Sequence, residues 1–136
     1  GLALLARALA QVPKVRVVCL QSGGRADFLA ALGAQALDLG HEVDGQTAPF
    51  AETAALMAGL DLVLSSDTSV PHLAGALGVP TWMALPATAE WRWLENRADS
   101  PWYPSLRLFR QNGRDDWASV ERDLALALRE WVAACG

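Results

Sequence analysis

The sequence predicts an α/β fold in which a parallel sheet lies between two layers of helices, a Rossmann-like three-layer α/β/α arrangement. Helix-like and strand-like segments alternate along the 136 residues of the chain. The strand-like segments are short and apolar without clean alternation, which is typical of strands buried on both faces. Short links between such elements imply right-handed crossovers between parallel strands.

The first part of the chain predicts a helix, a strand, a second helix and a second strand. Apolar residues recur at helical spacing from the start of the chain, and the predicted helix ends at about Gln11 because Pro13 stops the pattern. Residues 15–20 are β-branched and apolar, as in a buried strand. A glycine turn then leads into a short helix at residues 26–32, and residues 36–40 form a weaker candidate for a strand.

The later part of the chain continues the alternation, starting with a helix that opens at Pro49. This helix is expected to bury a stripe of four apolar side chains on one face. The stripe is Phe50, Ala54, Met57 and Ala58. The remaining elements, in chain order, are strand 60–65, helix 69–77 with Gly78 as its stop, strand 79–85, strand 105–109 and a closing amphipathic helix at 117–133.

Composition indicates one ordinary globular domain, residues 1–136, and excludes some classes of function. The chain is 52% apolar and 19% charged, enough for a real core. Its net charge of -4 argues against a nucleic-acid partner, which needs a basic patch. No apolar run reaches about 18 residues, so no membrane span is expected. Cys19 and Cys135 have neither disulfide nor metal-ligand spacing, which favours a cytoplasmic protein without a metal.

The helix start written DTSVPH, beginning at Asp67, is the candidate ligand site. Ligands of open parallel sheets bind beyond the carboxyl ends of the strands, where Asp67 stands. Thr68 is a good N-cap, and free backbone N–H groups of Ser69, Val70 and His72 would favour an anion. His72 shares a helix face with Thr68. The same pattern also describes a helix start that caps itself and binds nothing, and spacing alone favours that interpretation.

A second candidate contact follows the first predicted strand. Gln21 and Ser22 are expected on the same rim as Asp67, within reach of a ribose or base. A glycine turn is needed there whether or not a ligand binds, so both interpretations stay open. Residues 44–47 precede the next helix and are expected to be solvated, as is His41.

The segment after residue 85 is rich in tryptophan, proline and arginine. Glu90 and Trp91, nearest the strand end, are possible ligand contacts, whereas Trp93 and Trp102 are expected to pack in a small core of the loop itself. The arginines of this segment could pair with phosphate or with Glu95 and Asp99, and ion pairs within the loop are the expectation. These arginines are Arg92, Arg97, Arg107 and Arg110.

Residues 61–80, DLVLSSDTSVPHLAGALGVP, resemble the signature of glycosyltransferase family 9, the heptosyltransferase-like group. The match follows the family pattern of Asp, Thr, a small residue, two variable positions, His, and an apolar residue before Ala. Ser69 stands where Gly is more usual, and Pro71 is atypical. Residues 85–94, 99–104 and 107–111 resemble a subgroup in which this domain follows tetratricopeptide repeats.

The resemblance implies the C-terminal half of a two-domain GT-B glycosyltransferase. Such a domain grips the nucleoside diphosphate of a UDP-, ADP- or GDP-sugar donor without a metal or other cofactor. The general base comes from the N-terminal domain of the same polypeptide, so no catalytic residue is expected here. By this resemblance the chain is a fragment that lacks its first strand and that N-terminal domain, and is inactive alone.

Two alternatives remain beside this interpretation. One is a non-catalytic binding or scaffold module with a degenerate glycosyltransferase fold. The other, less favoured, is a different α/β protein such as a sugar-nucleotide epimerase or a phosphate-binding regulator. The chain has no G-x-G-x-x-G turn, which argues against a dinucleotide enzyme.

Overall fold

A computed structural model describes residues 2–41, 43, 50–88, 91–94 and 97–135. Helices and strands alternate within these residues, and each pair of hydrogen-bonded strands is parallel. The fold is therefore mixed α/β with parallel sheets. The chain divides into two compact units: a first unit made of Gly1–Thr53 and Glu121–Gly136, and a second unit made of Ala54–Val120.

The first unit contains a two-stranded parallel sheet. Its elements are α1 (Leu2–Ala10), β1 (Val17–Cys19), α2 (Ala26–Leu32) and β2 (Ala36–Asp38). Val17 pairs with Ala36, and Cys19 with Asp38. The predicted order of helix, strand, helix and strand is confirmed, including the weakly indicated second strand.

Helix α3 (Ala51–Ala58) confirms the predicted helix but not its buried stripe. Met57 is buried, whereas Ala58 is exposed and the side chain of Phe50 is 53% exposed. The prediction for Phe50 is wrong because this residue lies before the helix with a φ of 69°. That backbone conformation turns the chain, so the side chain does not share the helical face. Pro49 lies outside the described residues.

The second unit contains a three-stranded parallel sheet in the order β3-β4-β5. The strands are β3 (Val63–Ser66), β4 (Thr81–Leu85) and β5 (Leu106–Arg110), and α4 (Ser69–Ala76) connects the first two. Central strand β4 is buried at every position, as its continuous apolar sequence predicts. Since the strands are parallel, the segments that follow Ser66, Leu85 and Arg110 leave the same edge of the sheet.

Helix α4 ends where its glycine predicts. Gly78 has a φ of 72°, a left-handed conformation that favours glycine at a helix end. The N–H of Val79 donates to the carbonyl of Ala74 at 3.0 Å and so closes the last turn. Gly78 therefore ends the helix of the crossover between β3 and β4 at the predicted position.

Helix α5 (Trp117–Cys135) closes the chain. The side chain of Asp116 accepts the N–H of Ser119 at 3.1 Å, which caps the helix start. Its buried apolar residues recur at helical spacing, as predicted. They include Val120, Leu124 and Leu128. No helix in the described part of the chain is long and apolar enough to cross a membrane.

Candidate functional site

The start of helix α4 has the geometry that the sequence predicts. Strand β3 ends at Ser66, and Thr68 is the N-cap with an extended backbone. The hydroxyl oxygen of Thr68 accepts the N–H of Val70 at 3.3 Å. Asp67 and Ser69 are exposed beside it. The cap is thus confirmed, and its polar groups face solvent.

Fewer backbone donors are free at this helix start than the sequence suggests. The N–H of Val70 already donates to Thr68. The carbonyl of a cap residue accepts the N–H four positions later, which here belongs to His72. Pro71 has no N–H to offer. The backbone donor left to an incoming anion is the N–H of Ser69.

The hydroxyl of Thr68 has one further neighbour in strand β3. Ser65 Oγ lies 3.4 Å from Thr68 Oγ1 and donates its own proton to the carbonyl of Ser66 at 2.9 Å. Thr68 is therefore the donor of the longer contact. A hydrogen bond at 3.4 Å is weak, so a ligand oxygen can compete with Ser65 for this proton.

His72 is held between two aromatic side chains. Its ring lies 5.1 Å from that of Trp93, and the ring of Tyr103 meets it edge-on at 5.7 Å. The Nδ1 atom of His72 is 3.2 Å from the hydroxyl of Tyr103. Among the described residues, the Nε2 atom has no hydrogen-bond partner. The half-buried imidazole therefore has a fixed orientation and one nitrogen available for a ligand.

Gly75 allows Tyr103 to reach His72. A Cβ atom at Gly75 would lie 2.5 Å from Cγ of Tyr103, closer than any side chain tolerates. Glycine inside a helix costs about 1 kcal/mol relative to alanine. This local cost is explained by the close approach of the tyrosine ring. A glycine in the middle of α4 was thus a signal in the sequence, although it did not reveal the partner.

An open pocket of about 460 Å³ adjoins His72. Its other described lining residues are Arg92, Trp102 and Tyr103. Trp93 is fully buried, as predicted for the small core of the loop. The same prediction is wrong for Trp102, whose side chain is 61% exposed on the pocket wall. Hydrophobicity alone did not separate these two tryptophans.

The aromatic segment is fastened by its own polar groups. Arg97 forms two hydrogen bonds with the carboxylate of Asp99, at 2.7 and 2.8 Å. This pair holds the pKa of Asp99 below its usual value. Arg110 donates to the carbonyl of Trp93 at 2.5 Å and also to that of Leu94. The predicted ion pairing within the segment is therefore confirmed for Arg97.

Gln21 and Ser22 lie in the first unit, exposed after strand β1. The adjacent Arg25 directs each of its guanidinium nitrogens to a neighbour. It donates to Asp38 at 2.8 Å and to the carbonyl of Ser22, and its third nitrogen is 2.8 Å from Nε2 of His41. His41 is exposed, as predicted, but has this partner. The side chain of Arg25 is thus committed to holding its own loop together.

Asp38 completes this arrangement. Its carboxylate accepts the N–H of Gly40 at 2.9 Å. That hydrogen bond and the one from Arg25 hold the pKa of Asp38 below its usual value. A pocket of about 430 Å³ lies here, lined by residues that include Arg25, Asp27 and Asp38. Two of its charged groups, Arg25 and Asp38, are paired with each other.

Several predicted positions cannot be placed. Glu90 and residues 44–47 lie outside the described residues, and for Trp91 only the backbone is described. The segment around Trp91 forms a short 3-10 turn, Trp91–Trp93, that the sequence pattern did not predict. The site described is therefore the set Asp67 to His72 together with Arg92, Trp102 and Tyr103.

Comparison with known proteins gives one partial similarity. No family model and no solved structure matches the chain. Over 83 residues, or 61% of its length, the chain is 36% identical to protein FlbA of Caulobacter vibrioides. The matched part covers 14% of FlbA, so the chain spans a small fraction of that relative.

Proposed function

We propose that this chain is the donor-binding domain of a metal-independent glycosyltransferase of the GT-B type. The start of helix α4 would hold the diphosphate of a nucleotide-sugar. The observation that carries this proposal is the placement of His72, which is fixed by Trp93 and Tyr103 beside a capped helix start and an open pocket. The family 9 pattern at residues 61–80 supports it, as does the parallel sheet that presents this edge.

In this proposal, three donors of the second unit would hold the diphosphate. They are the backbone N–H of Ser69, the hydroxyl of Thr68 and the Nε2–H of His72. The positive end of the helix dipole adds to their attraction for a phosphate. Because the chain is acidic overall, with a net charge of -4, such local donors rather than bulk charge must hold an anion.

The tyrosine hydroxyl gives His72 the required tautomer in this proposal. When Tyr103 donates to Nδ1, the neutral imidazole carries its proton on Nε2. That proton then points to the ligand without the ring having to become charged. These donors compensate the charge that develops on a departing nucleoside diphosphate. They include no base for an acceptor hydroxyl, so the proposed role is donor binding rather than transfer by this chain alone.

One observation favours the alternative of a non-catalytic binding or scaffold module. Thr68 satisfies Val70 at the helix start, as it would in a helix that binds nothing. The two functions can be distinguished by assaying a polypeptide that joins this chain to the proposed N-terminal domain. Transfer of the sugar supports the glycosyltransferase. Donor binding without transfer or hydrolysis supports the module.

Calorimetric titration with UDP, ADP and GDP and with their sugar conjugates tests the proposed site. At least one of these ligands should bind, and His72→Ala should weaken it by about tenfold or more, since a charge-assisted hydrogen bond contributes ~1.5–3 kcal/mol. His41→Ala is the matched control, because the chain has 2 histidines and His41 lies in the first unit. No binding at millimolar concentration, or equal losses in both variants, contradicts the proposal.

A further inference from the structure

Trp102 is an exposed tryptophan whose orientation is fixed. Its side chain is 61% exposed. The indole N–H donates to the carbonyl of Arg92 at 3.0 Å, and its backbone N–H donates to Ser100 Oγ at 3.2 Å. Ser100 is buried and also accepts the N–H of Tyr103 at 3.3 Å. The segment therefore holds a large apolar ring on the pocket wall instead of packing it in the core.

The other described residues of the pocket lining each carry a polar group. They are Arg92, His72 and Tyr103. Arginine is only a donor, whereas a neutral imidazole and a phenol can each donate or accept a hydrogen bond. An apolar platform bordered by such groups matches a ligand that has one apolar face and hydroxyl groups around its edge.

We propose that this pocket binds a pyranose ring, with the apolar face of the sugar stacked on Trp102. The C–H bonds of one pyranose face carry slight positive charge, which suits the electron-rich face of an indole. The sugar hydroxyls would bond to His72, Arg92 and Tyr103. This proposal deepens the proposed function and rests on it for the position of the phosphate.

The position of His72 favours a sugar over a nucleobase. His72 belongs both to the proposed diphosphate site and to the pocket lining. A ring in the pocket must therefore lie next to the phosphate. In a nucleotide-sugar the pyranose is bonded directly to the terminal phosphate through its anomeric oxygen, whereas the base is one ribose further away. We therefore assign the ring beside His72 to the sugar bonded to the terminal phosphate rather than to the base.

A pyranose can reach this pocket from two sources. One is the sugar of the nucleotide donor, and the other is a free glycoside. Titration with UDP-glucose, ADP-glucose and GDP-mannose, each beside its parent nucleoside diphosphate, tests the first source. Titration with methyl glucoside and methyl mannoside tests the second. The indole N–H signal of Trp102 in an NMR spectrum, assigned from Trp102→Phe, reports on the pocket directly.

The test variant is Trp102→Ala, and two further variants serve as its controls. Trp102→Phe keeps an aromatic face and should keep most of the affinity. Trp117→Ala is the matched control, because Trp117 is 36% exposed in the second unit and does not line the pocket. Unfolding by urea shows that each variant is folded before its affinity is compared.

Trp102→Ala should weaken the nucleotide-sugar by about threefold to tenfold, the contribution of an aromatic contact, and the parent diphosphate by less than about twofold. Trp117→Ala should change neither. Equal losses for both ligands would place Trp102 against the nucleoside or the phosphates and overturn the proposal. No loss for either would overturn it as well.

The pocket and the proposed function can fail separately. If no nucleotide binds but a methyl glycoside shifts the Trp102 indole signal, the pyranose pocket stands with a free glycoside as its ligand, and the diphosphate proposal fails. If nucleoside diphosphates bind through His72 but no sugar shifts that signal at millimolar concentration, the diphosphate site stands and the pyranose pocket is refuted.

Discussion

Two corners of the molecule each follow a strand and carry polar side chains, and they differ in how these polar groups are bonded. The Arg25 corner consists of Ser22, Arg25, Asp38 and His41, which follow β1 and β2 in the first unit. The His72 corner consists of Thr68, His72 and Tyr103 in the second unit, where Thr68 and His72 follow β3. The guanidinium nitrogens of Arg25 are hydrogen-bonded to Asp38, Ser22 and His41. His72 uses one ring nitrogen on Tyr103 and has no partner for the other among the described residues.

The difference teaches that a polar loop at a strand end indicates a ligand site only when its bonding is incomplete. An anion at the Arg25 corner would have to displace hydrogen bonds that Arg25 already donates to Asp38 and to the carbonyl of Ser22. An anion near His72 gains a donor that no described residue uses. The contact predicted for Gln21 and Ser22 remains a prediction, and the bonding of Arg25 favours a structural role for that loop.

Gly75→Ala should have the largest effect, because it disturbs the contact between Tyr103 and His72. The added methyl group would lie 2.5 Å from the ring of Tyr103 and displace it from His72. Overpacking of this kind lowers the free energy of unfolding by about 1–3 kcal/mol. Urea unfolding measures the loss, with Gly113→Ala as the control because a Cβ there meets nothing within 4 Å. Equal stability of the two variants would show that Tyr103 is not confined by α4.

Arg25→Gln tests the Arg25 corner through the pH dependence of the free energy of unfolding. The folded-state pKa of Asp38 is lowered, first by Gly40 and then by Arg25. Its ionised form therefore stabilises the fold above the unfolded pKa of about 3.9, and this stabilisation is lost as the pH falls through the folded pKa. The variant raises that folded pKa. It should be less stable than wild type at pH 7, with the gap narrowing in acid.

Urea unfolding at neutral pH and below about pH 3 measures this gap. Arg97→Gln provides a matched pair, because Asp99 also has a lowered pKa caused by its arginine. Both variants should converge on wild type in acid. A gap for Arg25→Gln that is the same at every pH would show that the pair with Asp38 does not contribute to stability.

Tyr103→Phe should have the smallest effect, because it removes one hydroxyl and keeps the ring that Gly75 accommodates. The hydrogen bond to Nδ1 of His72 is lost, which should weaken nucleotide binding by about twofold to tenfold. Nitrogen NMR of the 2 histidines should show a change in the imidazole of His72 and none in His41. Unchanged imidazole signals would mean that Tyr103 does not set the tautomer.

Local chemistry made most of the fold predictable. The Thr68 cap, the Gly78 stop and the apolar run of β4 each depend on residues within a few positions of one another, and each is confirmed. The prediction that Phe50 is buried was wrong because Phe50 has a left-handed backbone conformation before α3, so it is not part of the helix. Periodicity carries no information about such a conformation.

The candidate site was predictable only in part, because its second half is assembled at long range. His72 and Tyr103 are 31 positions apart, and Arg25 and His41 are 16 apart. No spacing rule connects such pairs. The exposure of Trp102 depends on its tether to Arg92, which composition cannot reveal. The glycine at position 75 could have indicated a close approach to α4, but not by which residue.

One titration tests most directly the claim that the His72 corner binds an anion and the Arg25 corner does not. The affinities of a single nucleoside diphosphate for wild type, His72→Ala and Arg25→Gln are compared at pH 7. The structure leads us to expect a loss of about tenfold or more for His72→Ala and less than about twofold for Arg25→Gln. A larger loss for Arg25→Gln, or equal affinity of His72→Ala and wild type, would contradict the assignment.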